Sequence, residues 1–154
     1  MAFPSYKNLN LVAVSKDIQA YWENSLIFEA SVSTREGRPP YIFFEGPPSA
    51  NGLPGIHHMM GRAIKDIFCR YKTQKGFQVK RKAGWDTHGL PVELGVEKEL
   101  GISKEDIGKS ISVDQYNAAC REAVMRYTDV WSDLTKKMGY WVDMDEAYIT
   151  YTSK

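Results

Sequence analysis

The sequence predicts an α/β fold built on parallel strands, and three observations carry that prediction. Tyr41-Ile42-Phe43-Phe44-Glu45 is an apolar, aromatic run bounded by Pro40 and by Gly46-Pro47-Pro48. A run so short and so bounded reads as a buried strand rather than a helix. Met60, Ile64, Ile67, Phe68 and Tyr71 then recur at helical spacing, and Phe77 to Ala83 alternates apolar and polar residues. Strand, loop, helix and strand in that order make a βαβ unit, which by the general rule is right-handed.

The remaining elements follow from local signals. Leu11, Val14, Ile18, Tyr21 and Trp22 suggest a first helix that ends near Asn24, with Ser15 as its N-cap. Arg35-Glu36-Gly37-Arg38-Pro39-Pro40 is a turn, and Ser49 to Gly55 is a loop rich in glycine and proline. Gly76 stops the helix that follows this loop. Pro91 at N1 and Gly101 at C′ bracket a short helix. Ser112-Val113-Asp114-Gln115 is a capping box that opens a long helix. The apolar face of that helix is Tyr116, Cys120, Ala123, Tyr127, Trp131, Leu134 and Met138. Tyr140 to Tyr151 reads as the start of another extended stretch.

Composition narrows the class. The 154 residues allow one ordinary domain or a piece of something larger. With 43% hydrophobic and 25% charged residues, disorder, collagen and coiled coil are excluded. No apolar run is long enough to span a membrane, and the first 22 residues lack the pattern of a secretory signal. Cys69 and Cys120 have no C-x-x-C partner, which is reduced-compartment usage. A cytosolic, soluble chain is therefore expected. The net charge of +1 hides an uneven distribution. Met60 to Lys82 carries eight basic residues and one acid, and Gly84 to Asp106 carries six acids and two bases. The basic stripe is either a face for polyanions or a solvated surface.

Chemistry is expected at the carboxyl end of the first strand, where open αβ sheets bind ligands and the next helix N-terminus attracts anions. Glu45-Gly46-Pro47-Pro48-Ser49-Ala50-Asn51-Gly52-Leu53-Pro54-Gly55-Ile56-His57-His58 lies there. It is neither a Walker loop nor a Rossmann glycine fingerprint. The adjacent histidines can contact phosphate, ligate a metal or simply face solvent. For a metal the sequence offers only His88 as a third histidine. Asp86 and His88 fall at the carboxyl end of the neighbouring strand, where the carboxylate suits an amino group or caps a turn, and the histidine suits a phosphate or ribose.

GPPSANGLPGIHH, KDIFCRY and AGWDTHGLPVELGVEKELG together resemble the start of the catalytic domain of the class I aminoacyl-tRNA synthetases, most closely their isoleucyl branch. The resemblance runs from around Tyr21-Trp22 to Tyr140-Trp141-Val142-Asp143. It implies residues 1–40 as an N-terminal helical arm and residues 41–154 as the first half of a Rossmann-like nucleotide-binding fold. It also implies ATP-dependent activation of isoleucine with Mg2+, followed by transfer to tRNA(Ile). Gly46, Pro47, Asp86 and His88 would bind the amino acid, with Asp86 receiving its α-amino group. Pro48, Asn51, Gly52, Gly55, His57 and His58 would bind ATP, and His57 and His58 would be catalytic. No metal site falls within the chain, and zinc is expected only elsewhere in the full-length enzyme, which would be a cytoplasmic monomer.

One departure stands out. The family signature is His-x-Gly-His, whereas this sequence reads Gly55-Ile56-His57-His58, with the glycine and first histidine exchanged. Adjacent helical residues point about 100° apart, so the pair is expected to work only if the loop from 53 to 57 takes a different path. The second family signature, Lys-Met-Ser-Lys-Ser, does not occur in these residues. The resemblance therefore implies an N-terminal piece of a longer enzyme that does not charge tRNA by itself. Two other classes compete with it: a standalone nucleotidyltransferase of related fold, and a non-catalytic RNA-binding module using the basic stripe.

Overall fold

The computed structural model describes residues 8–152. Residues 1–7, where the helical arm and the segment without a secretory signal begin, lie outside the described residues, as do Ser153 and Lys154. The first helix, α1 (Leu11–Asn24), ends where its periodicity predicts, but its N-cap is Asn10 rather than Ser15. Asn10 Oδ1 accepts the Ala13 N–H at 3.1 Å, since Asn10 directly precedes the first apolar residue of the repeat. A short helix that the periodicity does not announce, α2 (Ile27–Ser33), follows at once.

Both helices are fastened to the body by aromatic rings and cations: Phe28 of α2 lies 6.2 Å from Trp141, with the Arg81 guanidinium 5.9 Å from the Phe28 ring centre. Trp22 meets Trp141 edge to face at 5.2 Å, and the Arg70 guanidinium lies 5.0 Å and 3.9 Å from their ring centres. Gln19 donates to the carbonyls of Lys136 and Lys137 at 2.9 and 2.8 Å, which satisfies orphan acceptors at the end of a later helix.

The expected first strand is not one. Among the described residues its backbone pairs with another backbone only at an isolated parallel bridge, Pro40 to Gln78, where Tyr41 N–H donates to the Gln78 carbonyl at 2.9 Å. From Ile42 onward the chain keeps an extended alternation: Tyr41, Phe43 and Glu45 are half-buried while Ile42 and Phe44 are exposed. Side-chain alternation alone does not make a strand, because a ladder needs a second backbone to take its N–H and C=O groups.

The helix after the loop, α3 (Ile56–Gln74), is the longest, and Gly76 ends it in the left-handed region at φ 91°. Its burial reverses the expectation. Met60, Ile64, Ile67, Phe68 and Tyr71 are all more than half exposed, whereas Arg62, Cys69 and Thr73 are buried. The polar face is the inner one because its groups find partners there. Arg62 donates to Thr135 Oγ1 at 2.6 Å, Arg81 to Thr73 Oγ1 at 2.9 Å, and Arg81 pairs with Asp66 at 3.2 Å.

Beyond α3, Val79, Arg81 and Ala83 point inward, as the alternation predicts, but the ladder itself is the short β1 (Lys82–Trp85). β1 leads into α4 (Leu90–Leu100), which has Pro91 in its first turn and Gly101 at its left-handed end. A 3-10 turn at Lys104–Asp106 follows. The Ser112–Gln115 capping box forms as predicted, with Gln115 N–H on Ser112 Oγ at 3.2 Å and Ser112 N–H on Gln115 Oε1 at 3.1 Å. The long helix it opens is two helices, α5 (Val113–Val124) and α6 (Thr128–Lys137). They part at Tyr127 because its N–H leaves the helix to donate to the Ala50 carbonyl at 3.0 Å.

The extended stretch after Tyr140 contains β2 (Asp143–Ile149), which pairs parallel with β1 in the register Gly84 to Tyr148 and Trp85 to Ile149. The described sheet thus has two strands, and the resemblance to a larger parallel sheet extends only that far. Gly84 has a steric reason to be glycine. A Cβ there would overlap the Cε1 edge of the Tyr148 ring. Gly84→Ala should therefore destabilise the protein by about 1–3 kcal/mol, measured by urea unfolding. Combining it with Tyr148→Ala should recover part of that loss, because the two residues are in contact. Strictly additive losses would show that no clash exists.

Candidate active site

The loop from Gly46 to Gly55 is tied to the body at four points. Tyr148 hydroxyl donates to the Glu45 carbonyl at 3.1 Å, just before the loop. Asp86 N–H donates to the Pro48 carbonyl at 2.9 Å, joining the loop to the end of β1. Tyr127 N–H takes the Ala50 carbonyl, and the Trp131 indole N–H takes the Gly52 carbonyl at 2.9 Å. Within the loop, Ser49 Oγ donates to Asn51 Oδ1 at 2.8 Å. Ala50 is fully buried against Trp85 and Trp131. A loop this rich in glycine and proline would otherwise wander, and its carbonyls are what fix it.

At the end of the loop the exchanged signature has a geometric account. Ile56 opens α3, so His57 and His58 both lie in its first turn. Despite their adjacency in sequence, their rings meet, with centres 3.8 Å apart and planes inclined by 42°. Their helical positions point about 100° apart, and the rings nevertheless come together. His57 folds back over the N-cap, and a Cβ on Gly55 would lie 2.9 Å from its Cε1 and 3.0 Å from its Nδ1. The His57 imidazole thus fills the space that a side chain at position 55 would claim. A side chain at 55 would push the exposed His57 ring out of this position.

His58 is held in one orientation. Its Nδ1 accepts the Gly55 N–H at 2.9 Å, the reciprocal half of a capping box, and its ring stands on the Trp131 indole at 4.7 Å. An Nδ1 that accepts carries no proton, so the neutral ring bears its hydrogen on Nε2. Burial, with the charges of His57 and Arg62 beside it, lowers the His58 pKa from the usual imidazole value.

Asp86 and His88 form the second half of the site. Asp86 directly follows β1, as predicted, and its Oδ1 accepts the His88 N–H at 3.3 Å. Both residues are exposed, with the buried Thr87 between them. No hydrogen bond among the described residues joins this turn to the histidine pair; the tethered loop connects them. Gly46 and Pro47 lie at the start of that loop, and no hydrogen bond among the described residues links them to the other candidates. No group of three His, Cys, Asp or Glu side chains that could hold a metal occurs among the described residues.

Several supporting residues have no motif of their own. The Glu45 carboxylate is almost wholly buried, paired with Lys65 and accepting from the Tyr140 hydroxyl. The only hint in the sequence is an acid closing an apolar run. Trp131 reads in sequence as one residue of an apolar face, and only the fold shows it meeting Gly52, His58 and Arg62. Half of the basic stripe is committed to contacts within the fold, while Lys75, Lys80 and Lys82 stay exposed. Arg62 and Arg81 are buried, Arg70 lies between tryptophans, and Lys65 is paired with Glu45.

The lowered His58 pKa has a sign that can be tested. The fold prefers the neutral ring, so its stabilisation is complete above about pH 6.5 and is withdrawn as pH falls through the lowered native midpoint. Between about pH 7.5 and about pH 5, the wild type should lose more stability than His58→Asn in urea unfolding. Equal losses would exclude the depressed imidazole.

A family model described as tRNA synthetases class I (I, L, M and V) matches residues 17–154. The chain is 65% identical over 152 residues to the isoleucine--tRNA ligase of Porphyromonas gingivalis, covering 99% of this chain and 13% of that protein. It is 67% identical over 145 residues to the isoleucine--tRNA ligase of Cytophaga hutchinsonii, covering 94% and 13% respectively. With the enzyme of that name from Thermobifida fusca it shares 53% over 143 residues, covering 92% and 13%. The chain thus spans about 13% of the length of the relatives it matches. With the tethered loop, the histidine pair and the Asp86 turn all lying inside the matched residues, the chain belongs to the class I tRNA synthetase family.

Proposed function

We propose that this chain is the N-terminal part of an isoleucyl-tRNA synthetase and supplies one side of its adenylate-forming site. The observation that carries the reading is the pair of imidazoles at the N-terminus of α3, set by the same loop that holds Asp86. A helix N-terminus offers unpaired N–H groups and a positive dipole end, which suit the phosphates of ATP. His58 presents Nε2–H as a donor, and His57 lies against it. Donors placed where charge develops on a reacting phosphate stabilise the transition state more than the ground state.

In this reading the isoleucine carboxylate attacks the α-phosphorus of ATP. A carboxyl–phosphate bond forms, the bond to the β-phosphate breaks and pyrophosphate departs. The terminal ribose of tRNA(Ile) then attacks the acyl carbon and AMP leaves. Asp86 receives the α-ammonium group through its free carboxylate oxygen, and Gly46 and Pro47 wall the amino-acid pocket with backbone. His88 closes that end of the pocket, while Pro48, Asn51, Gly52 and Gly55 line the nucleotide. With no protein cage for a divalent ion among the described residues, Mg2+ would come with the nucleotide, held by phosphate oxygens and water. Residues 1–40 would be a helical arm, and 41–154 the first half of a Rossmann-like domain in a monomeric, cytoplasmic enzyme. The two rival classes lose support, since the matched relatives are synthetases and four of the eight basic residues of the stripe are engaged within the fold.

Isoleucine-dependent ATP–pyrophosphate exchange by the full-length protein tests the reading. His57→Ala should slow exchange at least about tenfold, equivalent to about 1.4 kcal/mol. Gly55→Ala should act in the same direction, because its Cβ evicts the His57 ring. Near-wild-type exchange by both variants would sink the assignment of His57.

A further inference from the structure

We propose that Thr150 is a positioning residue for the amino-acid end of the site, acting through the Asp86–His88 turn; this rests on the adenylation reading above. Thr150 follows β2, and its N–H donates to the Trp85 carbonyl at 3.2 Å, which carries the parallel pairing one residue past the strand. That pairing sets its side chain beside the turn that follows β1. Three partners converge on its one hydroxyl oxygen. Thr87 N–H lies at 2.9 Å, Thr87 Oγ1 at 2.8 Å and His88 Nδ1 at 2.9 Å.

A hydroxyl has one proton to give and two lone pairs to receive with, so three partners use it completely. The Thr87 amide can only donate. Of the other two, one must donate to Thr150 and one must accept from it. The protonation of His88 Nδ1 is thereby linked to the direction of the Thr87 hydroxyl. When Thr150 donates to Nδ1, the ring carries its proton on Nε2, the nitrogen not engaged by a hydrogen bond among the described residues.

The same contacts hold Asp86. Its N–H is already fixed to the Pro48 carbonyl, and its Oδ1 takes the His88 N–H. The other carboxylate oxygen has no hydrogen bond among the described residues, and it is the one left for a substrate cation. Thr150 anchors the residue after Asp86 and the ring after that, so its hydroxyl decides whether the carboxylate and the imidazole present themselves together. The nucleotide end is held separately, through Tyr127 and Trp131. A loss at Thr150 should therefore reach the amino acid and spare ATP.

The test compares Thr150→Val, which keeps the shape and removes the hydroxyl, with Thr150→Ser, which keeps the hydroxyl, in the full-length protein. In pyrophosphate exchange, Thr150→Val should raise the KM for the amino acid about tenfold and leave the KM for ATP within about twofold, with Thr150→Ser close to wild type. An unchanged amino-acid KM, equal increases for both substrates, or a serine variant as damaged as the valine one would overturn the proposal. The 15N shifts of the His88 ring in labelled protein report its tautomer without any activity. They should move in Thr150→Val and hold in Thr150→Ser, and identical spectra in all three proteins would also overturn it. Absence of amino-acid-dependent exchange in the wild type would instead refute the adenylation reading, and the ring shifts would still decide the role of Thr150.

Discussion

Trp131 stands where the loop, α3 and α6 meet, and the arrangement of the site follows from its burial. Only about one hundredth of its surface is exposed. Its indole N–H holds the Gly52 carbonyl, its faces pack on Ala50 and Trp85, and the His58 ring stands against it. The Arg62 guanidinium lies 4.9 Å from its ring centre and donates onward to Thr135. An indole combines a large apolar area with a single donor, so one side chain can fill a core and fix a carbonyl at once. Aliphatic residues at that point would pack but could not hold the loop.

Around Trp131 the interior is unusually polar on one side. Glu45, Lys65 and Tyr140 satisfy one another, and Arg81 is paired with Asp66 and Thr73 nearby, with its Nε left without a partner. Buried charges bring little net stability, because desolvation opposes their attraction. Each group has few acceptable partners, however, so such clusters restrict how elements can dock. Here they turn α3 so that its basic and hydroxyl residues face inward. Burial raises the pKa of Tyr140, with the Glu45 carboxylate beside it adding to the shift, so its hydroxyl stays protonated as the donor that Glu45 needs.

The histidine pair shows how two imidazoles can be brought together by a rearranged motif. His57 reaches back over a residue that has no side chain, and His58 is pinned by the Gly55 amide and the Trp131 ring. A side chain at 55 would overlap the His57 ring where it now lies, so the exposed ring would have to turn away.

Local signals in the sequence were enough for the elements whose hydrogen bonds close within a few residues. The Ser112–Gln115 box and Gly76 after α3 occur as read, and Pro91 and Gly101 bracket α4 within one position of the reading, because caps and turns are decided by the residues that make them. The loop with its histidines and the carboxylate after β1 were legible for the same reason: they lie next to element ends that short patterns mark. Pairing and facing were not. The run from Tyr41 to Glu45 has the pattern of a strand and only one bridge, the helix after Ser112 breaks where Tyr127 turns to Ala50, and α3 buries the side its apolar spacing would expose. Periodicity tells which residues share a face, but a face is buried only by what another part of the chain brings to it. Glu45, Trp131 and Thr150 each act through partners about 60 to 100 positions away, a distance over which no local pattern carries information and only tertiary packing does.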